Sequence, residues 1–173
     1  MTHAVITGGG RGLGSAIAAA FDAAGIKTTL LGRDLAGLQE TAGELNNAKY
    51  LQLDVTIAEA VKSVFDQIGD VDILVNNAGI GPSSPFNRHS TEVWRNTFAV
   101  NADGAFYCTQ AVIDNMLKRN SGRVINIAST SALKGYAYVA GYVASKHALL
   151  GLTRALATEY AVSYTHLTLP TKA

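Results

Sequence analysis

His3-Ala4-Val5-Ile6-Thr7-Gly8-Gly9-Gly10-Arg11-Gly12-Leu13-Gly14 begins with five residues of strand character and runs directly into a turn of glycines. Beyond it, Leu13 to Ala24 has helical spacing and stops at Gly25, a residue suited to a left-handed C-terminal cap. A strand, a glycine turn and a helix in direct succession leave the helix amino-end N–H groups facing a backbone with few side chains in the way. That arrangement suits a pyrophosphate, and the expected dinucleotide contacts are Gly8, Arg11, Gly12, Leu13 and Gly14. A plain strand-to-helix turn would share the glycines alone.

The same alternation continues along the chain. Apolar runs of strand length fall at Lys27 to Gly32, Lys49 to Val55, Asp72 to Val75 and Gly122 to Ala128. Helical periods occupy Asp34 to Leu45, Ile57 to Ile68, Ser90 to Arg119 with a break near Asn101, and Gly141 to Tyr160. The pattern implies an α/β fold, a three-layer doubly wound parallel sheet of the Rossmann type with strand order 3-2-1-4-5. Gly79 to His89, with Pro82 and Pro85, and Thr130 to Gly141, rich in small residues, read as loops at the carboxyl ends of strands, where such sheets bind ligands.

With 48% hydrophobic and 16% charged residues over 173 positions, the chain can bury one core, assigned to residues 1–161. Fourteen Lys and Arg against thirteen Asp and Glu, without a basic run, argue against a nucleic-acid partner. No apolar run reaches the roughly 18 residues of a membrane span, and no secretory signal precedes the first strand, so a cytoplasmic location is expected. Cys108, in AFYCTQAVI, reads as a small buried hydrophobe, and Trp94 as a packing or subunit-contact residue. His3, His89 and His166 have no metal-like spacing, and no catalytic metal is expected.

The second strand ends in Gly32-Arg33-Asp34. An acid at position 32 would hold a free ribose 2′-hydroxyl and repel a 2′-phosphate; glycine does neither, while Arg33, with Arg11 nearby, can pair with phosphate. NADP(H) is therefore preferred, with NAD(H) as the alternative if both arginines are only solvated charges. Asp54, followed by Val55, is placed to accept from an adenine amino group or to cap the next helix.

Tyr142 and Lys146 share one helix face, about 5–6 Å apart at Cβ. His147, one position on, points about 100° away. A phenol is a poor proton shuttle at neutral pH, and lowering its pKa by about three units takes roughly 4 kcal/mol. One cation about 4 Å away at an effective dielectric near 20 supplies an amount of that order. Lys146 is that cation, and the Ser129 hydroxyl, at the end of VINIAS, could hold a substrate oxygen while Tyr142 delivers the proton.

TGGGRGLG, Asp54-Val55, Asn76-Asn77-Ala78-Gly79, Asn101, Ser129 and Tyr142-x-x-x-Lys146 together resemble the short-chain dehydrogenase/reductase family, over Met1 to about Ala161. The resemblance implies that Asn101 kinks its helix and holds a water joining Lys146 to the cofactor ribose. It also implies that Asn76, Ala78 and Gly79 border the cofactor, and that Lys146 hydrogen-bonds the nicotinamide ribose beside Tyr142. The catalytic set would be Asn101, Ser129, Tyr142 and Lys146. The implied reaction moves hydride between NADP(H) and a ketone or secondary alcohol, 3-oxoacyl thioesters included, in a homo-dimer or homo-tetramer. A module that only senses the NADPH/NADP⁺ ratio is the other function class, and it would not need the catalytic set.

After LTRALATEYA the family pattern stops. Val162 to Ala173 lacks the Arg-Val-Asn strand and Pro-Gly turn expected there. VSYTHLTLPT is instead what GTC TCT TAT ACA CAT CTG ACG CTG CCG ACG encodes, which is similar to a transposase-based sequencing adapter. The expectation is a natural frame ending near Ala161, a non-native tail over 162–173, and a fold truncated after the fifth strand and its following helix. The fifth strand would then be an open edge, and the chain as it stands an inactive fragment of its parent.

Overall fold

The computed structural model describes residues 1–160 and, as backbone alone, 166–168. Its strands are β1 His3–Thr7, β2 Lys27–Gly32, β3 Ala48–Gln52, β4 Ile73–Asn76, β5 Arg123–Asn126 and β6 His166–Thr168. Its helices are α1 Gly12–Ala23, α2 Leu35–Gly43, α3 Ala58–Ile68, α4 Thr91–Phe98, α5 Gly104–Lys118 and α6 Ala140–Glu159. The strands form one parallel sheet in the order β3-β2-β1-β4-β5-β6.

All five residues of β1 are buried, since β1 pairs with β2 from His3↔Lys27 to Thr7↔Leu31 and with β4 from Ala4↔Ile73 to Ile6↔Val75. The chain winds outward through β2 and β3, then returns to build β4 and β5 on the other side. The change of direction lies between β1 and β4, and a crevice opens at their carboxyl ends.

Side chains alternate between two covered faces. Ile6, Leu30 and Val75 pack under α1 and α2 with Ala18, Leu38 and Ala42. Val5, Leu31, Leu74 and Val124 pack under α3 and α5 with Val61, Phe65, Cys108, Val112 and Met116. Burial on both faces explains why these strands read as near-continuous apolar runs. At the amino-terminal end of the sheet, His3 ties neighbours together through Nδ1 to the Asp70 carbonyl (2.9 Å) and Nε2 to Thr29 Oγ1 (2.8 Å).

Three features differ from the sequence reading. β3 and β5 stop at Gln52 and Asn126, short of Val55 and Ala128; Leu53 and Ile127 each donate one more N–H to the neighbouring strand, to Gly32 and Asn76, before the chain turns to border the crevice. The helical region after Ser90 runs on without breaking: a π turn over Ala99–Asp103 joins α4 to α5. The backbone of His166–Thr168 lies parallel to β5, so β5 is not the last strand; an edge offers unpaired backbone groups that accept a strand whatever its side chains. The rest of the expected non-native tail lies outside the described residues.

Candidate active site

The glycine turn is shaped by contacts that exclude side chains. Gly8 has φ +66°, and a Cβ there would stand 3.0 Å from Asn77 Nδ2 and 3.1 Å from Ala78 Cα. At Gly14 a Cβ would come within 2.1 Å of the Gly8 carbonyl oxygen, so α1 sits directly on the turn. No side chain caps α1 and its first turn holds no acid, which leaves its N–H groups and dipole to an anion. Thr7 latches the turn to β4: its Oγ1 accepts from the N–H groups of Asn77 and Ala78, both at 3.0 Å. Asn77 answers with Nδ2, which donates to the Thr7 and Gly8 carbonyls at 2.9 and 3.1 Å.

Two adjoining clefts of about 510 Å³ each follow the carboxyl edge of the sheet. The first is lined by Gly8, Arg11, Gly12, Arg33, Asp54, Val55, Ala78 and Gly79 among others; the second by Leu13, Ser129, Tyr142 and Lys146. Asn77, Gly79 and Ile80 belong to both, which makes one continuous crevice. Gly14 is buried behind the turn, shaping it without facing the crevice.

Asn76 is not in the crevice. As the last residue of β4 it points into the α5 side of the sheet, 4% exposed, and donates Nδ2 to Asn126 Oδ1 at 2.8 Å and Thr109 Oγ1 at 3.1 Å. Asn126 in turn donates to Thr153 Oγ1 of α6 at 2.8 Å, which sets α6 on the same face as α5. The residue that borders the crevice is Asn77, one position beyond the strand.

At the far end of the first cleft, Arg33 is exposed and lies 3.9 Å from Asp54. Gln52 steadies it by donating Nε2 to the Arg33 carbonyl at 2.9 Å. Asp54 Oδ1 accepts from both the N–H (3.0 Å) and the hydroxyl (2.7 Å) of Thr56, which closes a turn ahead of α3; the N-cap of α3 is Ile57, without a side-chain bond, so Asp54 does not cap that helix, and one of its oxygens is already engaged. Burial would raise this carboxyl, but the Thr56 hydrogen bonds and Arg33 together hold it below the usual value. A Cβ on Gly32 would meet only Leu38 side-chain carbons at 3.6 Å or more, an ordinary contact.

At the chemical end, Lys146 is 4% exposed; its Nζ donates to the Ile127 carbonyl at 2.7 Å and lies 5.8 Å from the Tyr142 ring centre. Burial pushes this ammonium down to about 8. Ser129 is extended at the head of a short 3₁₀ turn, Thr130–Ala132, and its Oγ accepts from Ser131 N–H at 3.1 Å. Asn101, in the π turn, is 1% exposed, outside the crevice lining, and bonded to the Ile80 backbone and to Ser145 Oγ. Gly79 brings Asn101 and Lys146 together, since a Cβ on it would lie 3.4 Å from Asn101 Oδ1 and 3.7 Å from Lys146 Nζ.

The family model described as short chain dehydrogenase matches residues 2–166. The chain belongs to this family. It is 37% identical over 163 residues to an uncharacterized oxidoreductase of Staphylococcus epidermidis, covering 91% of this chain and 71% of the relative. A 3-oxoacyl-[acyl-carrier-protein] reductase of Vibrio cholerae is 36% identical, with 91% of this chain and 67% of the relative covered. A metagenomic short-chain oxidoreductase solved in complex with NADP superposes with a TM-score of 0.96 at 29% identity, over 99% of this chain and 82% of that one. Across curated relatives the chain spans between 64% and 71% of their length.

In this short-chain dehydrogenase, Thr7 and Asn77, quoted within motifs without a role, build the site, as do Ile80 and Ser145 outside any motif. Ser145 carried a signal, because three residues after Tyr142 falls on the same helix face. His147 is exposed and bonds the Val143 carbonyl at 2.9 Å, away from the crevice. Trp94 stacks on Phe98 at 4.9 Å, and Cys108 is fully buried, its thiol pushed up to about 12. Among the described residues no group of three or more His, Cys, Asp or Glu could hold a metal, and no helix is long and apolar enough to cross a membrane.

Proposed function

We propose that this chain carries the dinucleotide cradle and the acid–base set of an oxidoreductase that uses NADP(H) on ketones and secondary alcohols, 3-oxoacyl thioesters among them. One observation carries the reading: Ser129, Tyr142 and Lys146 open on a cleft that shares Asn77, Gly79 and Ile80 with the cleft of the glycine turn. The uncapped, acid-free amino end of α1 and the side-chain-free approach at Gly8 and Gly14 fit a pyrophosphate. Arg33 and Arg11 line the cleft where a 2′-phosphate would need cations, and no acid occupies position 32. The NADP complex among the relatives supports the same cofactor, and the acyl-carrier-protein reductase supports the substrate class.

When bound, the nicotinamide supplies or accepts hydride at the substrate carbon. The chain does the rest. Ser129 Oγ orients the substrate oxygen, and the Tyr142 phenol gives or takes its proton. Lys146, buried and with its pKa brought to about 8, holds a positive charge beside that phenol and can exchange its proton near neutral pH. Asn101 supports them from behind through Ile80 and Ser145.

A homo-dimer or homo-tetramer through α5 and α6 is the companion proposal. Phe106 on α5, 44% exposed while its neighbour Tyr107 packs on the core, supports it, since an apolar ring turned outward suits a partner helix.

Tyr142→Phe tests the reaction. NADPH oxidation with a 3-oxoacyl thioester should fall on the order of 10³-fold while NADPH affinity stays within about threefold. Retained turnover would sink the mechanism.

A further inference from the structure

The loop from Gly79 to His89 crosses the start of α6, and its far end is fastened by a histidine with no role in the chemistry above. Ile80, near its beginning, is held by Asn101 through both backbone polar atoms. At Gly81 the backbone lies on the Tyr142 ring, where a Cβ would meet Cδ2 at 3.4 Å. At Ser84 the N–H donates to the Tyr138 carbonyl at 2.8 Å, and Tyr138 is itself held at φ +65°, a conformation unusual for a bulky residue.

Ser84 Oγ and His89 Nδ1 share a hydrogen bond of 2.8 Å. The other ring nitrogen, Nε2, is buried with no hydrogen-bond partner. It presses on the first turn of α6, for a Cβ on Gly141 would stand 2.9 Å from it, and Trp94 meets the ring edge-on at 6.5 Å. An apolar side chain would fill this space without burying an unsatisfied nitrogen, so the imidazole calls for a reason. The reason lies in its reach: one nitrogen holds the loop and the other side of the ring braces the residue next to Tyr142.

We propose that His89 is a positioning residue, which through Ser84 and Gly141 holds the Gly81–Ser84 segment over the face of Tyr142 and so fixes the phenol in the crevice. This rests on Tyr142 being the proton donor, as proposed above.

Two substitutions separate the two nitrogens. His89→Asn keeps a polar atom at the δ position facing Ser84 and gives up Nε2; His89→Leu keeps bulk and gives up both. In the full chain, with NADPH and a 3-oxoacyl thioester, His89→Leu should lower kcat on the order of tenfold, with NADPH affinity within about twofold and His89→Asn within about threefold of the parent. Gly141→Ala, whose methyl would strike Nε2, should fall as far, and adding His89→Asn should restore it.

Hydrogen exchange without substrate reads the same device independently of turnover. The Ser84 amide should exchange about tenfold faster in His89→Leu and at the parent rate in His89→Asn. A parent that binds NADPH but turns over no carbonyl substrate, with this exchange pattern intact, would remove the catalytic reading and leave the fastening supported. Equal exchange in the parent and His89→Leu overturns the proposal. So does an unchanged kcat in His89→Leu when the parent is active, or failure of His89→Asn to restore Gly141→Ala.

Discussion

Asn101 grips Ile80 at both of its backbone polar atoms: Oδ1 accepts from the Ile80 N–H and Nδ2 donates to the Ile80 carbonyl, each at 2.8 Å. The same Nδ2 donates to Ser145 Oγ at 2.9 Å, and Ser145 Oγ donates on to the Tyr142 carbonyl at 2.9 Å. A single amide in a π turn thus joins the β4 loop to α6, the helix of Tyr142 and Lys146. Asn101→Ala should destabilise the chain by about 2–4 kcal/mol, because it removes three hydrogen bonds, the one to Ser145 buried and the two to Ile80 partly so, and leaves the Ile80 groups unpaired. Urea unfolding would measure it; a loss under about 0.5 kcal/mol would show that the grip carries no weight.

Cofactor choice should turn on Gly32. Space exists for a side chain there, and an aspartate would add a second acid beside Arg33, which among the described residues now has only Asp54, at 3.9 Å. Gly32→Asp is expected to weaken NADPH binding at least about tenfold and to favour NADH, through repulsion of a 2′-phosphate and acceptance from a free hydroxyl. Fluorescence titration with both nucleotides decides it, and an unchanged ratio of affinities would count against the proposed preference.

Lys146 is a liability to the fold that function would explain. Its ammonium is buried and brought down to about 8 from 10.5. At 1.36 kcal/mol per pKa unit, holding it charged below pH 8 costs roughly 3 kcal/mol relative to the unfolded chain. The cost is fully present below the folded value and disappears as pH rises through 10.5, where the unfolded chain also loses the proton. Lys146→Met should therefore be inactive yet more stable by about 1–3 kcal/mol at neutral pH, after allowing for the lost Ile127 bond, and the gain should shrink above pH 8. A variant less stable than the parent at pH 7 would refute this.

His3 should make the amino-terminal end of the sheet sensitive to mild acid. Burial leads the causes that lower its pKa from 6.5, so the unfolded chain takes up a proton that the folded chain resists. Its contribution is full above 6.5 and is lost as pH falls below that value. The carboxyls of Asp22, Asp54 and Asp72 are held under 3.8 and act only in stronger acid. Unfolding free energy measured from pH 7.5 to 5 should fall in the parent and stay nearly flat in His3→Gln; parallel curves would assign the effect elsewhere.

The sheet and most of its helices were legible because burial on both faces writes itself as apolar runs, and because Gly8, Gly12 and Gly25 stand at positive φ where only glycine is comfortable. Asn76 and Asn77 were not separable. Two identical neighbours straddle the end of β4, and the pleat sends the first into the core while the second clears the strand. Strand ends failed for a related reason: Leu53 and Ile127 each make one last bond to the neighbouring strand, and the apolar run continues past it through Val55 and Ala128. The bonds of Thr7 to Asn77 and Ala78 and of Ser145 to Asn101 were not legible, because these partners are distant in sequence.

The chain of side-chain bonds from Asn76 to Asn126 to Thr153 rivets α6 to two strands of the sheet. Tyr142 and Lys146 ride on that helix, so they form part of the chassis. Whatever must open for a substrate to enter and a product to leave has to be found in the loops around them. The residues proposed for catalysis are the fixed datum from which any such opening is to be measured.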